Sequence, residues 1–592
     1  MRIKYNETKK GRCYYIIQSV YKNGKNTTET YEKLGYPDEI KEKYKCSDPM
    51  KWLDEHVGEL NAQIDDKKDT TVLVPLHAHK IISAGEKRSF NVGYLFLQQI
   101  YYDLKLPNIC RGITRQHHFD YDLNEILSRL VYERILFPSS KLEMTRRSCN
   151  LLEQPSFQYH QVIRSLSVLA EEFDDIQAKL YRYSAEVIPR NTGVLYYDCT
   201  NFYFEIEQEK GIRKYGYSKE HRPNPIVQMG LFMDYSGIPL AITIDDGNKN
   251  EQQTLKPLEE TILNDFDLSK FVVCTDAGLS SEPNRMFNNF GERSFITTQS
   301  IKKLDEKKRE WCLKPTGWLL SEDKEKDERP VYDIREIDAN DELREKNWNK
   351  IYYKEELIEG YDEERDITFN QTLIVSYSLK YKDYLGKIRD GQIERAMKAI
   401  AGGNASEDRR LQTDYRRFIV RSHKTSKGEE ATTTSFSINQ DVIDKEKQFD
   451  GFYAVCTNLD DDVEDIINVN RGRWEIEESF RIMKSEFDAR PVHLQRDDRI
   501  KAHFMTCFIS LLIYRILERK IGSQYTCGEI CTTLRDMCVT RIADKYYVPS
   551  YTSSKLTNEL HEKAGLRTDY EVIRDKEMRG IIRRSQGSSV KK

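Results

Sequence analysis

The stretch from Thr192 to Thr298 constrains this sequence most. It holds β-branched and aromatic runs at Val194–Phe204, Ile226–Met233 and Ile238–Ile244, the last two separated by the tight-turn sequence Asp234-Tyr235-Ser236-Gly237. Then the period changes. A helical stretch at about Gln252–Leu263 leads to the apolar run Phe271-Val272-Val273-Cys274. Ser280-Ser281-Glu282-Pro283 opens another helix with Pro in its first turn, and Ser294–Thr298 follows as a strand. Three antiparallel strands followed by alternating helices and strands predict a mixed α/β core.

The remaining chain divides around this core. Residues 1–65 read as a β-rich arm, with strands at Tyr14-Tyr15-Ile16-Ile17 and Thr27–Leu34 and a turn at Asn23-Gly24. Residues 66–190 read as helical: Ile126, Leu127, Leu130, Val131 and Ile135 share one face, and Phe137-Pro138 closes that helix. The core comprises 191–300 plus 456–520, interrupted by a β-rich insertion at 301–455. Thr368–Ser378, Arg417–Arg421 and Gly451–Cys456 are the insertion's clearest strands, with one helix near Gln392–Ile400. A helix from about Val463 to Ala489 and an apolar helix from Arg499 to Leu517 resume the core. Residues 521–592 form a C-terminal region whose basic, acid-free tail, Arg579 to Lys592, is expected to be polar and disordered.

Composition narrows the class. No run reaches the ~18 apolar residues of a spanning helix; the best, Ala502 to Tyr514, stops at Arg515. The N-terminus lacks the apolar region of a signal peptide, so a soluble, cytoplasmic protein with no membrane partner is expected. The twelve cysteines include no CxxC pair, and Cys527 and Cys531 read as inert thiols. Ninety-three basic against ninety-seven acidic residues leave a net charge of −4. That does not exclude a nucleic-acid partner, because phosphate affinity follows local charge. Local basic stretches occur at Lys210–Lys219, Arg416–Lys427 and the tail.

Three carboxylates stand out. Asp198 sits in the apolar strand Leu195-Tyr196-Tyr197-Asp198-Cys199-Thr200, where a charge must be hydrated, paired or metal-bound. Asp276 directly follows the Phe271–Thr275 run, at a strand end where α/β proteins commonly bind ligands. On a helix at ~100° per residue with Arg473 at 0°, Ile476, Phe480, Met483 and Phe487 fall at roughly 280–340°, one core-facing stripe. Glu477 and Lys484 fall at roughly 40° and 20° on its edge, whereas Glu475, Glu478 and Glu486, at roughly 140–220°, are expected to be solvated. Singly, these residues also fit a structural hydrogen bond, a turn aspartate and an Arg473–Glu477 ion pair. Together, two strand aspartates and a helix glutamate can form an all-oxygen site for two Mg²⁺ ions, with Mn²⁺ as substitute. Such a pair supports in-line phosphoryl transfer, with Arg473 and Lys484 suited to phosphates.

At these residues the sequence resembles the DDE transposases of bacterial insertion sequences, in the cut-and-paste group with an inserted β-domain. Their hallmark, Y-x-x-R-x-x-x-E-x(6)-K, is matched by Arg473, Glu477 and Lys484, with Asn470 at the tyrosine position. Asp198-Cys199-Thr200, Gly216-Tyr217-Ser218-Lys219, Gly237-Ile238-Pro239-Leu240, Asp276-Ala277-Gly278 and Arg490-Pro491-Val492 are also similar to family landmarks. The resemblance covers roughly residues 80 to 520. It implies a ribonuclease-H-like core with catalytic, metal-binding Asp198, Asp276 and Glu477, and with Arg473, Lys484 and Asn470 at the DNA. It further implies cleavage at inverted-repeat ends and strand transfer into target DNA by a homodimer. Helices 91–188, with Arg129, Arg134, Lys141, Arg146 and Arg147, are the candidate for end recognition. Two other readings use the same residues: an inactive DNA-binding regulator derived from a transposase, and a structure-selective nuclease.

Overall fold

The computed structural model describes residues 1–587 apart from 23–24, 47, 67–71, 73, 75, 77, 80, 267, 324–328, 364, 407–413 and 425–429. Two units are separate, Met1–Ile82 and Ser83–Lys592. In the first, β1 (Arg2–Thr8), β2 (Gly11–Lys22) and β3 (Lys25–Gly35) form an antiparallel sheet in that order. The expected turn at Asn23-Gly24 lies outside the described residues. The arm is only partly β. Helices α1 (Pro37–Tyr44) and α2 (Pro49–Asp66) pack Ile40, Leu53 and Val57 against Tyr14, Ile16 and Leu34. Leu53, Val57 and Leu60 recur at helical spacing, the signal that marks α2 in the sequence.

The second unit is built on one large sheet. A short strand, β4 (Ser89–Asn91), precedes α3 (Leu123–Leu136) and the core strands β5 (Val194–Tyr203), β6 (Ile226–Asp234) and β7 (Pro239–Asp246). Then come α4 (Gln252–Asp265), β8 (Phe271–Thr275) and β9 (Arg293–Thr298). β6 is antiparallel to β5 and β7, while β5, β8 and β9 run parallel. The resulting order, β7-β6-β5-β8-β9, is the ribonuclease-H-like arrangement expected of this core.

Much of the 301–455 segment does not stand apart from that sheet. β10 (Leu319–Leu320), β11 (Tyr352–Asp362) and β12 (Ile367–Tyr377) continue it beyond β9, joined through β15 (Phe452–Thr457). Among the described residues, only β13 (Ile419–Lys424) and β14 (Glu430–Ile438) pair separately. The segment's main helix, Leu379–Ala401, is far longer than expected. Gly386 and Gly391 lower its intrinsic propensity, but tertiary contacts override them, among them Arg389 donating to Asp450.

The helix expected over Val463–Ala489 is broken into α5 (Val463–Arg471), α6 (Trp474–Arg481) and a π-helical turn, Ile482–Glu486. α7 (Asp497–Ile521) then runs through the centre of the unit against α3, the helix Tyr159–Glu171 and β7. α7 is long and apolar enough to cross a membrane, but 94% of that apolar window is buried inside the protein. Beyond it, β16 (Cys538–Ile542), β17 (Tyr546–Pro549) and β18 (Ile573–Arg574) form a second small sheet with β4. The basic tail from Arg579 begins inside a helix, Asp575–Ser585, that buries Met578 and Ile581; residues 588–592 lie outside the described set.

One group of expected DNA contacts is overturned here. Arg129, Arg134 and Lys141 are buried, at 4%, 6% and 7% exposure. α3, which carries Arg129 and Arg134, is flanked by helices, and Lys141 opens the following helix, Lys141–Arg147, so these cations serve the interior. Arg129 donates to the Glu153 carbonyl, and Arg134 donates to the carbonyls of Phe487, Asp488 and Ser139. Lys141 Nζ lies 3.5 Å from His503 Nδ1, and burial lowers its pKa to about 7. Arg146 and Arg147 are exposed, and each pairs with Glu143.

Candidate active site

Strand register brings the two aspartates together. β5 and β8 pair in parallel with Tyr197 beside Thr275, so Asp198 and Asp276 are the next residues on adjacent strands. Neighbouring strands lie about 4.8 Å apart, which places both carboxylates on the same side of the sheet at its carboxyl edge. Thr298 of β9 continues the row, because Thr275 pairs with Thr297.

Each aspartate is held by one oxygen. Asp198 Oδ1 accepts from the Cys199 N–H at 2.7 Å; Asp276 Oδ1 accepts from the N–H groups of Gly278 and Leu279 at 2.9 and 3.1 Å. The Oδ2 atoms accept no hydrogen bond among the described residues. Burial, opposed by Lys219 and reinforced by repulsion from Asp276, raises the Asp198 pKa to about 6.

The helix break aims a cation at this pair. Gly472 packs directly against Tyr196 of β5, where a Cβ would collide with the hydroxyl. That hydroxyl donates at 2.9 Å to the Val469 carbonyl at the end of α5, which also accepts from the Gly472 N–H. α6 therefore restarts on the sheet, and the guanidinium of Arg473 donates to Thr298 Oγ1 at 3.2 Å. Asp276 and Asp198 both help raise the Arg473 pKa against its burial.

Two lysines complete the surroundings. Lys219 donates to the Cys199 carbonyl and pairs with Glu251 at 3.2 Å. Lys484 pairs with Glu220 at 3.4 Å and lies over the Phe202 ring. Burial and repulsion from Lys219 lower the Lys484 pKa to about 8, partly offset by Asp198. Lys219, Glu220, Glu251 and Thr298 were not singled out as site residues from the sequence. Lys219 closes the basic Lys210–Lys219 stretch, and the strand pattern carries Thr298 to the same sheet edge.

The third acid is placed differently from expectation. Glu477 is exposed, whereas Glu475 is buried and accepts from Arg515 and Arg519 at 2.7 and 2.8 Å. The periodicity argument assumed one buried face, but α6 is sandwiched between β5 and α7, so its opposite face is covered too. Glu477 opens instead on a cavity of about 310 Å³ that is also lined by Tyr381, Tyr453, Asn470, Arg473 and Trp474. Among the described residues, no group of three His, Cys, Asp or Glu side chains is close enough to hold a metal ion.

Asn470 is a second correction. It is 4% exposed rather than available to DNA, and it donates to the Tyr453 hydroxyl at 2.8 Å. Tyr453 also meets Thr298 Oγ1 at 2.8 Å, so a hydroxyl from β15 stands beside the position where the helix lacks a tyrosine.

With this geometry in view, the comparisons with known proteins decide the family. The Transposase DDE domain matches residues 192–513, more than half of the chain. The chain belongs to the transposase DDE domain family. No curated protein matches it. Among solved structures, a cryo-EM structure of the piggyBac transposase synaptic complex with hairpin DNA is similar at 9% identity and a TM-score of 0.33. That likeness covers 75% of this chain and 78% of the other, and at this level it carries no argument. Membership in the transposase DDE family makes the chain a DNA-cleaving and DNA-transferring enzyme of DNA recombination and implies a divalent metal. The chemistry of the aspartate pair fits such an ion: two hard carboxylate oxygens accept no hydrogen bond among the described residues, and burial raises the Asp198 pKa despite the nearby Lys219.

Proposed function

We propose that this protein is the transposase of a bacterial insertion sequence, cutting at the element's inverted-repeat ends and joining the freed 3′-hydroxyls to target DNA. The observation that carries the reading is the register of Asp198 beside Asp276 with Arg473 held over the same row. Asp198 and Asp276 hold Mg²⁺, or Mn²⁺ in its place, and Glu477 completes the ligand set for two ions. When bound, the metal activates the attacking oxygen and stabilises the leaving oxygen of the phosphodiester.

The protein's own groups position the DNA. Arg473 and Lys484 keep the R and K spacing of the Y-R-E-K signature and neutralise phosphates at the scissile end. Lys484, with its pKa near 8, is mostly protonated at neutral pH and carries that charge. Asn470 acts through Tyr453 rather than on the strand. A homodimer in the cytoplasm synapses two ends, each in one such site.

The test is strand cleavage of the gene's own flanking DNA by purified protein, with Mg²⁺ and with EDTA, alongside Glu477→Gln. Metal-dependent nicking at the repeat boundary, lost in Glu477→Gln, is expected. Binding without cleavage would make the protein an inactive regulator, and cleavage indifferent to the repeats would make it a nuclease.

A further inference from the structure

One carboxylate near the aspartate row is shared by two cations. Glu220 Oε1 pairs with Arg490 Nη1 and lies 3.4 Å from Lys484 Nζ. Its other oxygen accepts no hydrogen bond among the described residues. All three side chains are largely covered: that of Lys484 is 14% exposed, those of Arg490 and Glu220 25%. The cations are backed by the strand, Lys484 over the Phe202 ring at 5.4 Å and Arg490 over the Tyr203 ring at 5.9 Å. These rings belong to the last two residues of β5, and a rise of about 3.3 Å per residue puts that end of the strand about 15 Å from Asp198.

Glu220 is held less firmly than the cations it meets. It sits in the connection 204–225 between β5 and β6, in a turn where the Ser218 carbonyl accepts from the His221 N–H at 3.0 Å and Ser218 Oγ accepts from the Arg222 N–H at 3.2 Å. The residue before it is anchored. The Lys219 N–H donates to Asn201 Oδ1 at 3.2 Å, and its ammonium donates to the Cys199 carbonyl of β5. The turn is therefore tied to the strand through Lys219, while among the described residues the Glu220 side chain is tied by charge alone. Rotation about its own bonds carries it into solvent without moving the turn or the strand.

The charge balance says what belongs there. Two largely covered cations against one carboxylate leave a residual positive charge, which is costly away from water. A phosphodiester carries the same single negative charge as Glu220 but offers two free oxygens, one for the Lys484 ammonium and one for the Arg490 guanidinium. It satisfies both donors at once, where a single carboxylate oxygen is divided between them.

We propose that Lys484 and Arg490 form a binding position for a DNA phosphate flanking the cut, and that Glu220 occupies it in the DNA-free protein until the strand displaces it. Arg490 is then a DNA contact, and Glu220 is the gate of the position. The inference rests on the transposase reading for the identity of the ligand.

The test measures binding of full-length protein in EDTA, so that cleavage plays no part. The probes are a duplex of about 40 bp from the gene's flank and a shuffled duplex of equal composition, titrated at several salt concentrations. Glu220→Gln removes the competitor's charge and keeps its shape; it should tighten binding to both duplexes about fivefold at 0.1 M salt. Arg490→Ala should weaken binding to both and lower the salt slope by about 0.9, the share of one phosphate contact. With Lys484→Ala/Arg490→Ala already in place, adding Glu220→Gln should bring no gain, because no cation remains to be freed. Glu207→Gln removes an equal charge from an exposed side chain of the same connection and should change affinity by less than about twofold. Thermal melting checks that each variant folds, and the Glu220 and Arg490 arms each decide the matter if the other variant does not. Unchanged or weaker binding by folded Glu220→Gln, or a wild-type salt slope in folded Arg490→Ala, would overturn the inference. So would an equal gain in Glu207→Gln, which would mean diffuse repulsion rather than a gate. Absence of metal-dependent nicking by the wild type, with both binding shifts intact, would instead refute the transposase reading and leave the phosphate position standing.

Discussion

Asp198→Asn should stabilise the metal-free protein while abolishing cleavage. The Asp198 pKa is raised from 3.8 to about 6, first by burial and further by Asp276. Two units at 1.36 kcal/mol each amount to about 3 kcal/mol, or about 2 kcal/mol after allowing for the part that water reaches. The sign follows from proton counting. Between pH 3.8 and about 6 the unfolded chain has released a proton that the folded protein keeps, so stability falls as pH rises through that window. Above it the whole cost remains. Asparagine carries no charge at any pH, and its Oδ1 can still accept from the Cys199 N–H. In EDTA at pH 7.5 the variant should therefore melt roughly 2 °C above wild type, with the gain shrinking to about a third at pH 4.5. Millimolar Mg²⁺ should reverse the order by stabilising only the wild type. A lower melting temperature for the variant at pH 7.5, or a gain equal at both pH values, would refute the burial cost of the Asp198 charge.

Two glutamates two residues apart, on opposite sides of α6, should behave oppositely. Glu475→Gln breaks the buried pairing with Arg515 and Arg519 and should cost about 3 kcal/mol in denaturant melts; exposed Glu477→Gln should cost under about 0.5 kcal/mol yet remove nicking. A stable Glu475→Gln would move the catalytic acid to that position. Lys484→Ala should reduce the salt slope of end binding by about 0.9, read by anisotropy, and an unchanged slope would make it a packing residue. Lys141→Met should stabilise the protein most at pH 7 and below. The buried lysine deprotonates at about 7 instead of 10.5, so its cost fades as pH rises between those values. A pH-independent effect in melts at pH 7 and 10 would contradict that.

The core was legible because each strand from Val194 to Thr298 is long, apolar and bounded by turn or helix signals. The same clarity put Asp198 and Asp276 at one sheet edge, since a carboxylate in such a run needs a reason to be there. What failed was the inference of exposure from a single helix. Glu475 and Glu477 differ only in which neighbour covers them, and that neighbour, α7, begins over twenty residues later. Arg129, Arg134 and Lys141 failed for the same reason: basic side chains on a helix read as surface until the helices flanking them are known.

Helical phase adds a further failure, and it bears on the site itself. The spacing R-x-x-x-E-x(6)-K was placed on one continuous wheel, yet the chain breaks at Gly472 and widens into a π turn at Ile482–Glu486. Arg473 is fixed by Gly472 against Tyr196, and Lys484 lies within the π turn near Asp198. Glu477 lies between these two irregularities on regular helix and faces outward. The conserved-looking spacing therefore does not encode one face of a rod. It encodes two cations delivered to the aspartate row by local distortions, and one acid left facing the cavity beside Tyr381 and Tyr453.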